Sequence, residues 1–93
     1  MIRGWKTKDA KDVFEGRSSR RFPPELMKAL RRRLAQLDAA NAIEDLRSPP
    51  GNRLHALTAD RKGQCSISVN DQFRICFVWT EHGPDGVEFV DYH

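Results

Sequence analysis

Cysteine is scarce in this 93-residue chain. Cys65 and Cys76 are too few for a disulfide framework or a four-cysteine zinc site. Long apolar runs are missing too, since none approaches the roughly 18–20 residues needed to cross a bilayer. The opening Met1-Ile2-Arg3-Gly4-Trp5-Lys6 lacks the apolar stretch of a signal peptide. The reading is a cytoplasmic chain with reduced thiols and no membrane contact. No His-x-x-x-His pair lies on a helix pattern, and there is no Asp-rich loop, so a metal centre has no ligand set. No glycine-rich loop opens a helix to cradle phosphate, and neither repeats nor low-complexity tracts occur. No cofactor is expected. Both cysteines fall in strand-like segments, where small buried hydrophobes account for them.

What is present suits one domain spanning residues 1–93. Hydrophobic residues make up 39% and charged residues 31%, enough for a modest single core. The net charge of +3 is a mild basic excess, compatible with RNA, DNA or an acidic protein.

The first half reads as helical. Residues 2–6 read as a short strand. From Lys8 to Glu15, Ala10, Val13 and Phe14 recur at helical spacing, and Gly16 closes the segment. "RSSRRFPP" follows, read as a mobile basic connection. Pro24 suits a first helical turn, and Glu25 complements its positive end. Leu26, Met27, Leu30, Leu34 and Leu37 then form one apolar stripe, with Lys28, Arg31, Arg32 and Arg33 largely off it. That helix is expected to reach about Ala40, with a short helical turn over 43–46. "RSPPGN" is expected to break regular structure.

Beyond it the period changes to two. Strands are expected at 53–57, 65–69, 73–79 and 86–92, the last entered through a Gly83-Pro84-Asp85-Gly86 turn. The fold class is therefore α+β. A short N-terminal strand and two helices pack on one face of a small, mainly antiparallel C-terminal sheet. The two central strands admit two registers. A two-residue loop at Asn70-Asp71 sets Ile67 opposite Arg74 and mixes polar with apolar side chains. A three-residue loop, or a bulged one, sets Ile67 opposite Ile75 and Val69 opposite Phe73. The second gives cleaner segregation and puts Arg74 on the face away from the helices, where a ligand could bind.

The groups able to move protons or hold phosphate are His55, Arg61, Lys62, Arg74, Asp91, Tyr92 and His93. RNA cleavage without a metal needs this kit. A base takes the 2′-hydroxyl proton, a cation stabilises the extra charge on phosphorus, and an acid protonates the departing 5′-oxygen. Histidine suits both proton steps because its reference pKa, about 6.5, lies near the working pH. Plainer readings stand beside these. His55 also fits an ordinary strand histidine, Arg74 a rim arginine paired with a carboxylate, and "EFVDYH" a terminal strand with a polar tip. Lys28 and Arg31 to Arg33 fit a solvated helix face. Arg17, Arg20 and Arg21 fit a basic loop, a feature that also grips phosphate backbones.

Read together, "MIRGW", "FEG", "LRRRLAQLDAANAIEDL", "SPPGNRLHALTADRKGQCSISVNDQFRICF" and the terminal "VDYH" resemble the HigB family of bacterial toxins in the RelE/ParE superfamily. The resemblance covers nearly the whole chain. It implies a RelE-like toxin encoded beside a HigA-like antitoxin that carries a helix-turn-helix domain, with operator DNA bound only through the complex. It also implies an endoribonuclease, an mRNA interferase that enters the ribosomal A site of the small subunit and cuts messenger RNA without a metal. By motif match the catalytic residues are His55, Arg74, Asp91, Tyr92 and His93, so the site is built on the end of the last strand. RNA or ribosome contacts fall to Arg61, Lys62, Arg31, Arg32, Arg20 and Arg21. Thr58 departs from relatives that carry a lysine there, leaving Arg61 or Lys62 to supply charge. The rival readings are a ParE-like toxin that inhibits DNA gyrase by binding, and a basic module acting only with its antitoxin as an autorepressor. The His/Tyr/Asp ending favours the enzyme, since a pure binder has no evident need for it.

Overall fold

Leu30, Leu34 and Leu37 lose all solvent contact because helical spacing puts them on one stripe. They belong to α2 (Met27–Ala39), which follows a 3-10 turn at Pro24–Leu26 with proline at its start. The computed structural model describes residues 1–58 and 61–91 of the chain. The shorter α1 (Lys8–Phe14) buries Ala10 and Val13. It ends in a Schellman-type pair of bonds, from Gly16 N to Val13 O at 3.1 Å and from Arg17 N to Asp12 O at 2.8 Å. Phe14 does not join the core. It is 37% exposed, and its ring lies 5.3 Å from that of Trp5.

The sheet comprises β1 (His55–Ala56), β2 (Cys65–Ser68), β3 (Phe73–Thr80) and β4 (Gly83–Asp91), antiparallel throughout in the order β1-β2-β3-β4. Ile67 pairs with Ile75 and Ser68 with Arg74, across a loop of Asn70, Asp71 and Gln72. That is the register favoured by hydrophobic segregation. One face presents Ile67, Ile75, Phe77 and Phe89 to the helices, forming the core with the α2 leucines. The other carries Ser66, Ser68, Arg74, Cys76 and Glu88.

Several expectations are corrected. Residues 2–6 are not a full strand. They run parallel to β4 with one bridge, Trp5 to Val87, and with bonds from Arg3 N to Pro84 O, Val87 N to Gly4 O and Lys6 N to Val87 O. β4 starts at Gly83 rather than Gly86, and the turn into it is Glu81-His82, closed by Thr80 Oγ1 donating to Gly83 O at 2.7 Å. A Cβ on Gly83 would lie 2.3 Å from Met1 O, so only glycine admits the N-terminal segment there. Gly86, at φ +60°, sits where the β3–β4 register slips by one residue, the place of glycine in a β-bulge.

The connection after α1 is not loose along its length, because Phe22 is buried edge-on against Phe73 and Phe89, with centroids 5.2 and 5.1 Å away. Within "RSPPGN", Pro50–Asn52 form a 3-10 turn. Buried Asn52 fastens it by donating from Nδ2 to the carbonyls of Leu46 and Ser48, at 3.2 and 3.3 Å.

Candidate active site

The sheet face turned away from the helices is lined by a row running across all four strands. His55 on β1 stands opposite Ser66, Ser66 opposite Cys76, and Cys76 opposite Glu88. Strand alternation puts Arg74, two residues from Cys76, on the same face. Its Nε donates to Ser66 Oγ at 2.9 Å, and its Nη2 donates to the carbonyl of Arg53 at 2.9 Å. His55 and Arg74, chosen separately from sequence, thus flank one serine.

Glu88 is the one buried carboxylate among the described residues. Its Oε2 receives Lys6 Nζ at 3.1 Å and Arg61 Nη1 at 3.3 Å. Arg61 is also held by Gln64 Oε1 at 3.3 Å. The face is therefore not a bare sheet. Lys6, Arg53, Arg61 and Arg74 gather there against the charges of Glu88 and of Asp71, which pairs with Arg53 at 3.6 Å, a net positive set suited to phosphate. Burial pushes the Cys76 thiol above its ordinary value; Glu88 pushes the same way, while Arg61, Arg74 and Lys6 oppose them. A neutral buried thiol is a poor nucleophile, in keeping with a packing role.

The other sequence candidates divide by location. Asp91 is exposed and paired in register with Phe73, in the row of Phe89 rather than that of Arg74. Its Oδ2 accepts a bond from Gln72 Nε2 at 3.3 Å. Tyr92 and His93 lie outside the described residues. Thr58 and Lys62 are exposed. Arg20, Arg21, Arg31 and Arg32 belong to the helix layer on the opposite side of the sheet. There Arg31 donates to the carbonyls of Val13, Gly16 and Arg17 and ties α2 to the end of α1. Arg21 pairs with Asp9 at 3.3 Å and lies 5.5 Å over the Phe22 ring, while Arg20 and Arg32 are exposed. No group of acidic, histidine or cysteine side chains able to hold a metal occurs among the described residues.

Sequence reasoning missed Lys6, Arg53, Ser66 and Glu88. Glu88 had a legible signal, because it stands between Val87 and Phe89 at a position alternation assigns to the polar face. Ser66 had one too, since the favoured register puts it on the face of Arg74; Lys6 and Arg53 had none, because their partners are distant in the chain.

Comparison with known proteins shows the family of the chain. Toxin HigB-1 of Vibrio cholerae is 48% identical over 73 residues, 78% of this chain and 73% of that protein. Endoribonuclease HigB of Proteus vulgaris is 31% identical over the full length of both chains. An uncharacterized protein of Haemophilus influenzae is 33% identical over 84% of this chain and 76% of its own. The model of the RelE-like toxin of the type II toxin–antitoxin system HigB matches residues 4–93. The chain belongs to the HigB family of RelE-like toxins, as the toxin of a type II toxin–antitoxin pair.

Proposed function

We propose that this toxin is a ribosome-dependent endoribonuclease, a single catalytic domain that cuts messenger RNA in the ribosomal A site and so stops translation. The observation that carries the proposal is Arg74, hydrogen-bonded to Ser66 and to the Arg53 carbonyl on the electropositive face, with His55 opposite the same serine. The Proteus vulgaris relative, named an endoribonuclease, supports the same reading.

In this mechanism one proton-transfer group takes the ribose 2′-hydroxyl proton, and the 2′-oxygen attacks phosphorus. Arg74 stabilises the charge gathering on the phosphoryl oxygens, and a second group protonates the leaving 5′-oxygen. His55 and His93 share the two proton steps, with Asp91 and Tyr92 orienting or assisting. Arg61 and exposed Lys62 supply charge near the cut in place of the lysine that Thr58 replaces. Arg20, Arg21, Arg31 and Arg32 offer a second basic surface in the helix layer for ribosomal RNA. The reaction needs no cofactor. The protein works in the cytoplasm, and a helix-turn-helix antitoxin holds it in check and carries the complex to operator DNA.

Primer extension on a message carried by programmed ribosomes tests the proposal. Wild type, Arg74→Ala and a chain lacking His93 are compared, with naked message as control. Cuts that need ribosomes and vanish in both variants are expected. Growth arrest by wild type without any cuts would replace the enzyme by a toxin acting through binding, gyrase being the first target to test.

A further inference from the structure

The Arg74 guanidinium is held from two directions by groups to which the family resemblance assigns no role. Ser66 is fully buried, and its hydroxyl accepts the Nε–H of Arg74 at 2.9 Å. The bond is diagonal, because Ser66 stands opposite Cys76 in register. Ser68, the residue directly opposite Arg74, instead donates its hydroxyl to Asn70 O at 2.8 Å. The second acceptor is the carbonyl of Arg53, 2.9 Å from Nη2. Arg53 is the one non-glycine residue with positive φ (+47°) among the described residues, a conformation that disfavours a side chain. A buried hydroxyl and a strained backbone unit thus converge on one guanidinium from two separate segments.

We propose that Ser66, assisted by the Arg53 carbonyl, is a positioning residue that fixes the plane of the Arg74 guanidinium for RNA cleavage; this rests on Arg74 being the cation of that reaction. A guanidinium bonded only at Nε can still turn. A second bond, from Nη2 to a different segment, removes that freedom. A long, flexible side chain ordered before substrate arrives spends none of the binding interaction on its own ordering. Donors aimed in advance at the developing charge are the ones that lower a barrier. Because Ser66 is buried, water competes poorly for the Nε–H, and the bond is stronger than its exposed equivalent. The bland account is that a buried hydroxyl simply needs a partner. The two accounts differ in what happens when Arg74 is changed.

The test measures single-turnover cutting on programmed ribosomes for wild type, Ser66→Ala, Arg74→Lys, Arg74→Ala and the double variant Ser66→Ala/Arg74→Lys. Ser66→Ala should slow cutting by about tenfold, the size expected for losing a bond to a charged group, without changing the ribosome concentration that gives half-maximal rate. In the Arg74→Lys background, where no fork remains to be positioned, Ser66→Ala should cause no further loss. Equal losses in both backgrounds, or no loss in either, would overturn the proposal. Full activity of Arg74→Ala would instead remove the underlying site reading and is distinguishable on its own. A second readout uses the free protein and does not depend on activity. The Arg74 Nε–H resonance should exchange slowly with solvent in wild type and rapidly in Ser66→Ala, and unchanged exchange would count against the clamp even if cutting fell.

Discussion

Lys6 and Arg61, 55 residues apart in the chain, meet at a single oxygen, Oε2 of Glu88. Glu88 is 8% exposed, so this carboxylate gathers two cations onto a sheet face that would otherwise carry mutually repelling charge. Through Lys6 it fastens the N-terminal segment to β4. Through Arg61 it fastens the connection between β1 and β2.

Glu88→Ala should therefore destabilise the fold by about 1–2 kcal/mol, a modest figure because Lys6 and Arg61 are partly solvated. Glu88→Gln keeps the shape and should lose less. Urea unfolding of the two variants checks the order, and an Ala variant as stable as wild type would show that the pairs contribute nothing.

Cys76 carries a pH signature. Its thiol is raised above the ordinary value of 9.0 mainly by burial, and Cys65 is raised by burial in the same direction. The folded state thus favours the neutral thiol, while the unfolded chain ionises once pH passes 9.0. The contribution is fully present below that value and is lost as pH climbs through the raised one. Unfolding free energy should fall more steeply between neutral and alkaline pH in wild type than in Cys76→Ala; parallel falls would refute it. At neutral pH in native protein, Cys76 should resist alkylation.

Phe22→Ala removes a ring buried edge-on against Phe73 and Phe89 and should cost about 3–5 kcal/mol. In a domain this size, that is a large share of total stability. A thermal midpoint close to wild type would mean that the segment after α1 contributes little to the core.

Arg53 occupies left-handed backbone at φ +47°, and its side chain reaches Asp71 at 3.6 Å with both groups largely exposed. Arg53→Gly should change stability by less than about 1 kcal/mol, because relief of strain offsets the entropy of glycine. Arg53→Val should lose about 1–2 kcal/mol, since a branched side chain resists this conformation. Equal stabilities in urea would remove the strain argument.

Much of this architecture is legible in the sequence. The leucine stripe of α2 and the period-two strands depend on neighbours within a few residues, and such local periodicity is written directly into a sequence. The register of β2 on β3 followed from it, because only one pairing segregates Ile67, Ile75 and Phe77 from Arg74 and Ser66. The candidates His55 and Arg74 were legible as residue types able to handle protons and phosphate, and they do share one face. Asp91 was legible as a motif residue, but its register places it in the opposite row.

Tertiary structure decided the rest. Phe22 lies in a polar, basic stretch with no periodicity to mark it as core. The pairing of Thr80 with Gly83 set the last turn at Glu81-His82, and the extra residue at the Gly86 bulge shifts the β3–β4 pairing by one position. The partners of Arg74 and Glu88 come from segments 8 to 82 residues away, and closing such loops leaves no local pattern behind. By itself the sequence determined the leucine stripe of α2, the alternation of the strands and which sheet face turns away from the helices. Folding decided which acceptors hold the cation there, because side chains that meet only at long range are matched by the assembled sheet.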